Sequence, residues 1–290
     1  MKKLTVFLVI LALIALSGCG HAANYDIVAT TLPVHDFTAA LCLGTDLSVG
    51  RLVTENVSCL HDYTLQVEQM RMIESADVVV ISGAGLEGFL EDALHNAQVV
   101  IDSSHDVHTH AASAHDHEHH GEHNHEVDPH IWLSPENAVR MAENIASNLS
   151  EHYPQYRSIF QDNLIQLTDK LSNLQEYGNQ QLSEISCREI ITFHDGFGYF
   201  AEAFGLQILE SVEEESGSEA SAYEIIHLVE LIKEYDIPAV FIEKSGSDAC
   251  ASIIHAETDI PIYTLDMAMS GDSYFDAIYH NIDTIKEALG

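Results

Sequence analysis

From Tyr25 onward the chain alternates short apolar runs with helical patterns four times, pauses for one long helical stretch, and then alternates four times again. The first four runs are 25–33 (YDIVATTLP), 47–53, 76–82 (ADVVVIS) and 98–102 (QVVID), with helical patterns starting near Asp36 and covering Thr64–Ser75 and Leu86–Leu94. Little polar alternation interrupts these runs, so they read as strands buried on both faces, the signature of parallel sheets covered by helices. Ser134-Pro135 is an N-cap followed by proline at the first helical position, which predicts a helix to about Ser150. From Pro154 to about Glu184, Ile159, Phe160, Leu164, Leu167, Leu171, Leu174 and Leu182 recur at helical spacing. The second half then offers strands at 189–193 (EIITF), 206–212, 239–243 (AVFIE) and 261–265, with helices near 196–203, 223–235, 247–257 and 273–289. The expected fold is α/β, with two similar (βα)4 lobes of mostly parallel sheet joined by one long helix. The expected domains are an N-terminal lobe at 25–152, a connecting helix at 153–185 and a C-terminal lobe at 186–290. Ligands of such sheets bind outside the carboxyl ends of the strands, so the interlobe cleft is the expected site.

The N-terminus speaks for export. Lys2 and Lys3 precede the apolar run Leu4–Leu16, which is short for a bilayer span and reads as a secretion signal. Leu16-Ser17-Gly18-Cys19 resembles the bacterial lipobox. That implies a signal peptide over 1–18, a lipidated Cys19, a tether over 19–24, and a mature protein that is extracytoplasmic and lipid-anchored to the cell membrane. Outside the cytoplasm, Cys42, Cys59, Cys187 and Cys250 permit three connectivities; pairing within each lobe gives Cys42–Cys59 and Cys187–Cys250, with buried free thiols as the alternative.

Composition then narrows function. Asp and Glu number 46 against 11 Lys and Arg, a formal charge of −35 with no basic patch, which excludes nucleic acid as a partner. The chain has 19 His, nine of them in one stretch: His105, His108, His110, His115, His117, His119, His120, His123 and His125. Their irregular spacing, as in DHEHHGEHNHE, without apolar periodicity, reads as a solvated loop over 105–126 offering several weak, exchangeable metal sites. Such a loop raises the local metal concentration beside a tighter site. The plainer alternative is a soluble acidic loop.

Four positions lie just past an expected strand or at the start of a helix, where cleft-facing side chains belong: His61, His130, His194 and Asp266. Three imidazoles and one carboxylate form a four-coordinate set suited to Zn2+, whereas Mg2+ and Ca2+ prefer oxygen throughout. Asp62 and Cys59 are rival ligands. Asp128 and Asp195 are placed to orient imidazoles, and Trp132 and Phe193 to pack as core near the site. An extracytoplasmic zinc hydrolase is disfavoured, because the chain lacks His-Glu-x-x-His and the four ligands would close the tetrahedron. No Walker-type phosphate loop is present, so the chain is no ATPase.

The segments TTLPVHDF, ESADVVVISGAGLEGFLEDAL, DPHIWLSPENA, ITFHDGFGYFAEAFGL, EEESGSEASAYEIIHLVELIKEYDIPAVFIEK and IYTLDM, with the acidic His-rich insert, follow one another in this order. Together they resemble the zinc/manganese-specific solute-binding lipoproteins of bacterial ABC importers. The resemblance implies a non-enzymatic, monomeric receptor that captures Zn2+ at one interlobe site built from the three His named and an acidic residue. It would deliver the ion to a membrane permease driven by a cytoplasmic ATPase. Mn2+ or iron receptors of the same class, and metal-binding adhesins or buffers, are the alternatives. His194 favours zinc, because manganese-type members often carry Glu at that place. Glu215 and Glu219 fall in the family's acidic segment. One departure stands out: the family's Asp-Pro-His-x-Tyr around the first ligand is here Ser58-Cys59-Leu60-His61-Asp62-Tyr63, without the proline that would stiffen it.

Overall fold

The computed structural model describes residues 24–55, 60, 63–111, 127–213, 221–244 and 249–290. In the N-terminal half, β1 (Ile27–Ala29), β2 (Val49–Arg51), β3 (Val78–Ile81) and β4 (Val100–Asp102) form a parallel sheet in the order β2-β1-β3-β4. In the C-terminal half, β5 (Glu189–His194), β6 (Gln207–Glu213), β7 (Val240–Glu243) and β8 (Ile262–Leu265) repeat that order as β6-β5-β7-β8, again parallel. The two (βα)4 lobes of the sequence reading are therefore present. Each sheet reverses its winding between its first and third strands, which puts the natural crevice at the carboxyl ends of β1 and β3 and of β5 and β7.

Helices cover the sheets: α1 (Leu32–Leu41), α2 (Val67–Ser75), the single turn α3 (Glu91–Leu94), α4 (Pro135–His152), α5 (Arg157–Gln181), α6 (Gly198–Phe204), α7 (Ala222–Glu234), α8 (Ala249–Thr258) and α9 (Tyr274–Leu289). α1 begins four residues before the expected Asp36, because Thr31 takes the N-cap position and Pro33 fits the first turn, where its missing N–H costs nothing. The expected helix over Leu86–Leu94 is broken into a 3-10 turn at Gly88–Leu90 and α3. The long helix is likewise preceded by a separate 3-10 turn, Pro154–Tyr156.

α5 has 25 residues, a rod of about 37 Å at 1.5 Å per residue. It packs on α1 and α4 at one end and on α6 and α9 at the other. Phe160, Leu167, Leu171, Leu174 and Gly178 form its buried face. Gly178 is required there, because an added Cβ would lie 2.1 Å from the Phe204 ring. One apolar cluster runs through α1, α4, α5, α6 and α9, so the lobes share a core. Polar contacts add to it: Trp132 Nε1 donates to the Met267 carbonyl at 2.8 Å, Tyr274 Oη donates to the Trp132 carbonyl at 2.8 Å, and the Tyr274 amide donates to Asp36 Oδ2 at 2.9 Å.

The cysteines depart from expectation. Cys42 and Cys187 are free thiols. The Cys187–Cys250 bridge is not made: Cys187 lies before β5 at the amino edge of its sheet, while Cys250 lies in the first turn of α8, which leaves from the carboxyl edge. At about 3.3 Å per residue a six-residue strand holds those edges roughly 16–20 Å apart, beyond the ~7 Å Cα separation a disulfide allows. Cys187 Sγ instead donates to the Glu189 carbonyl at 3.3 Å. Cys42 is buried, and burial pushes its thiol up to about 12. Its expected partner Cys59 lies outside the described residues. No helix among the described residues is long and apolar enough to cross a membrane.

Candidate metal centre

The carboxyl end of β5 delivers His194. Two residues before it, Thr192 pairs with Phe241 of β7, so the parallel register sets His194 beside Glu243, the last residue of β7. His194 Nδ1 lies 3.7 Å from Glu243 Oε2. On the next strand Leu265 pairs with Glu243, so Asp266 stands one residue beyond the sheet on the same edge.

His130 arrives from the other side, on the turn between Asp128 and the Ile131–Leu133 3-10 segment. Asp128 Oδ1 accepts from the His130 amide at 2.9 Å and takes its Nδ1 at 2.8 Å, fixing both backbone and ring. With the ring proton on Nδ1 in that bond, the Nε2 of His130 would be the ligating nitrogen, and it faces the cleft. There it meets His194 Nε2 at 3.4 Å, with the two rings perpendicular at 5.1 Å. Tetrahedral bonds of about 2.0–2.1 Å put two ligand nitrogens about 3.3 Å apart, so the pair already has the spacing of ligands on one Zn2+.

The surroundings suit a cation. His130, His194 and Glu243 are 6%, 3% and 4% exposed. Trp132 packs edge-on against His130 at 5.5 Å. Gly196 closes the space: a Cβ there would lie 2.7 Å from His194 Cδ2 and Met267 Cε and 2.9 Å from His130 Nδ1, so only glycine fits between them. Phe193, by contrast, belongs to the core on the sheet's other face.

The remaining expected residues fall as follows. Asp266 is buried, but its Oδ2 holds Lys244 Nζ at 2.8 Å and its Oδ1 accepts from the Ala268 amide at 2.8 Å. It does not complete a compact three-ligand set with the two histidines. Asp195 accepts from Ser211 Oγ at 3.2 Å, and Glu243 lies beside the His194 ring. His61, Cys59, Asp62, Glu215, Glu219 and Cys19 lie outside the described residues, as do His115, His117, His119, His120, His123 and His125. The segment following His61 is pinned: Tyr63 Oη donates to Glu55 Oε2 at 2.7 Å and accepts from Gln69 Nε2 at 2.6 Å, and Gln69 Nε2 also reaches the Leu52 carbonyl at 2.8 Å. His105 is exposed beside Asp106, whereas His108 and His110 converge on Glu202.

A second buried acid lies at the corresponding edge of the N-terminal sheet. Glu87 accepts from Thr30 Oγ1 at 2.6 Å and from the amides of Ser82 at 2.7 Å and Gly83 at 3.0 Å. Burial nevertheless raises its carboxyl to about 7, the three donors opposing only part of the cost.

Comparison with known proteins gives the family and the fold. The family described as "Zinc-uptake complex component A periplasmic" matches residues 27–288. The chain is 27% identical over 310 residues to the "Manganese ABC transporter substrate-binding lipoprotein PsaA" of Streptococcus mitis, covering 100% of this chain and 99% of the relative. It is 28% identical over 307 residues to the "Zinc-binding lipoprotein AdcA" of Streptococcus pneumoniae, covering 99% of this chain but only 61% of that longer protein. The crystal structure of ZnuA superposes with a TM-score of 0.80 at 27% identity, over 92% of this chain and 100% of that one.

Proposed function

The chain belongs to the family of periplasmic zinc-uptake components, and from that premise we propose that it is an extracytoplasmic receptor that captures Zn2+ between its lobes and hands it to the permease of an ABC importer. The observation that carries the reading is the pair of buried imidazoles, Nε2 to Nε2 at 3.4 Å, each with a carboxylate beside its Nδ1. His130 and His194 are the proposed core ligands, His61 the third, and Asp266 the fourth once a metal displaces Lys244 from it. Asp128 and Glu243 hold the rings and raise their basicity. The ion is cargo, so the protein's work is to strip water from it, hold it and release it, and no catalysis is required. Two nitrogen donors that face each other favour Zn2+ over Mn2+, which prefers oxygen ligands. Cys19 is the proposed lipid anchor, and residues 25–152, 153–185 and 186–290 are the proposed lobe, strut and lobe of a monomer. Zinc-limited cells lacking the gene test this reading. The intact chain should restore uptake of radioactive zinc, and His194→Ala should not; equal restoration by His194→Ala would refute it.

A further inference from the structure

A second set of metal-ligating atoms comes together away from the cleft. His108 Nε2 and His110 Nε2 lie 3.2 Å and 2.6 Å from one oxygen, Oε2 of Glu202 on α6. The candidate ligand atoms of the three residues all lie within 4.8 Å of one another, a condition no other trio of His, Cys, Asp or Glu among the described residues meets.

The surrounding structure aims these rings. His110 stacks on Tyr199 at 4.2 Å and 12°. Its amide donates to Tyr199 Oη at 2.9 Å, and that hydroxyl donates to the Asp128 carbonyl at 2.8 Å. The His110 carbonyl accepts from the Asp128 amide at 3.1 Å, and the His108 carbonyl accepts from Asn137 Nδ2 at 3.0 Å. Just beyond, Ala111 and Val127 form an antiparallel bridge that closes the neck of the histidine-rich segment.

Two imidazoles and a carboxylate are the donor set of borderline dications such as Zn2+. Tetrahedral coordination needs ligand atoms about 3.3 Å apart, a small widening of the distances present. Three protein ligands on the surface leave a fourth position for water, which makes the site exchangeable. We propose that His108, His110 and Glu202 form a second zinc-class site that ties the root of the histidine-rich segment to α6 of the C-terminal lobe. Asp128 bonds the backbone of His110 and the ring of His130, so metal at the root steadies the cleft from outside. The site does not depend on which metal the cleft takes.

The test is a Zn2+ titration of the mature full chain carrying His194→Ala to disable the cleft, repeated with Co2+ absorption as a reporter of ligand type. One zinc equivalent should remain. It should weaken at least tenfold in His110→Phe, which keeps the stacking on Tyr199 but removes the nitrogens, and in Glu202→Gln, which keeps the shape. The control pair His115→Ala/His117→Ala should leave it unchanged. Affinity unaltered by His110→Phe and Glu202→Gln, or lowered no more than by the control pair, would overturn the proposal. A titration in which His194→Ala itself changed nothing would count against the cleft ligands alone, because the loop-root comparison is made within one background.

Discussion

His130 and His194 are 64 residues apart in the chain, yet their Nε2 atoms face each other at 3.4 Å across the junction of the two lobes. A carboxylate stands beside the Nδ1 of each ring. Asp128 turns one and the β5–β7 register sets Glu243 beside the other. The carboxylates are therefore the points at which affinity can be changed without removing a ligand.

Asp128→Asn and Glu243→Gln are each expected to weaken Zn2+ binding about 10–100-fold, the usual cost of losing the group behind a ligating imidazole. Their effects should fall on one metal equivalent only. Isothermal titration with a competing chelator reads this directly, and wild-type affinity in both variants would show that the rings orient themselves.

Lys244 and a metal compete for Asp266, whose Oδ2 the ammonium holds at 2.8 Å. Lys244→Ala is expected to tighten Zn2+ binding several-fold. If affinity is unchanged while Asp266→Asn lowers the melting temperature, the Asp266 carboxylate serves only to set the turn to Ala268.

Trp132→Phe removes the interlobe hydrogen bond to the Met267 carbonyl while keeping most of the buried ring. A buried acceptor left without its donor costs about 1–3 kcal/mol. Chemical denaturation should show that loss with and without metal, because the bond joins the lobes in both.

Glu87 gives stability a definite pH dependence. Its folded value, raised to about 7 from an ordinary 4.5, means that the native state holds a proton between those values that the unfolded chain has lost. Stability from this group is thus fully present below about pH 4.5 and falls as pH rises to about 7, by about 3 kcal/mol in all. Glu87→Gln should flatten that slope, at a cost from mispairing one of the three donors. An unchanged slope would assign the pH dependence elsewhere.

The strands were legible because parallel strands buried on both faces leave unbroken runs such as VVVI, and the two sheets repeat one order. Boundaries were blurred wherever a turn resembles a helix, as at Gly88–Leu90 and Pro154–Tyr156. His130 and His194 could be picked out because the residue types themselves announce metal chemistry. Glu243 could not: it ends an apolar run like any other strand, and only the pairing of β5 with β7 brings it to His194. Glu202 reads as an ordinary helix acid until His108 and His110 arrive from a distant segment. The expected Cys187–Cys250 bridge failed for a related reason: membership of one lobe says nothing about which edge of the sheet a residue occupies.

The measurement that tests the central claim most directly is a competitive Zn2+/Mn2+ titration of the mature protein and its His130→Ala and His194→Ala variants. One tight equivalent that prefers Zn2+ and weakens at least about 100-fold in either variant is the expected result. Tight binding that survives both substitutions, or that prefers Mn2+, would contradict the two-imidazole zinc site.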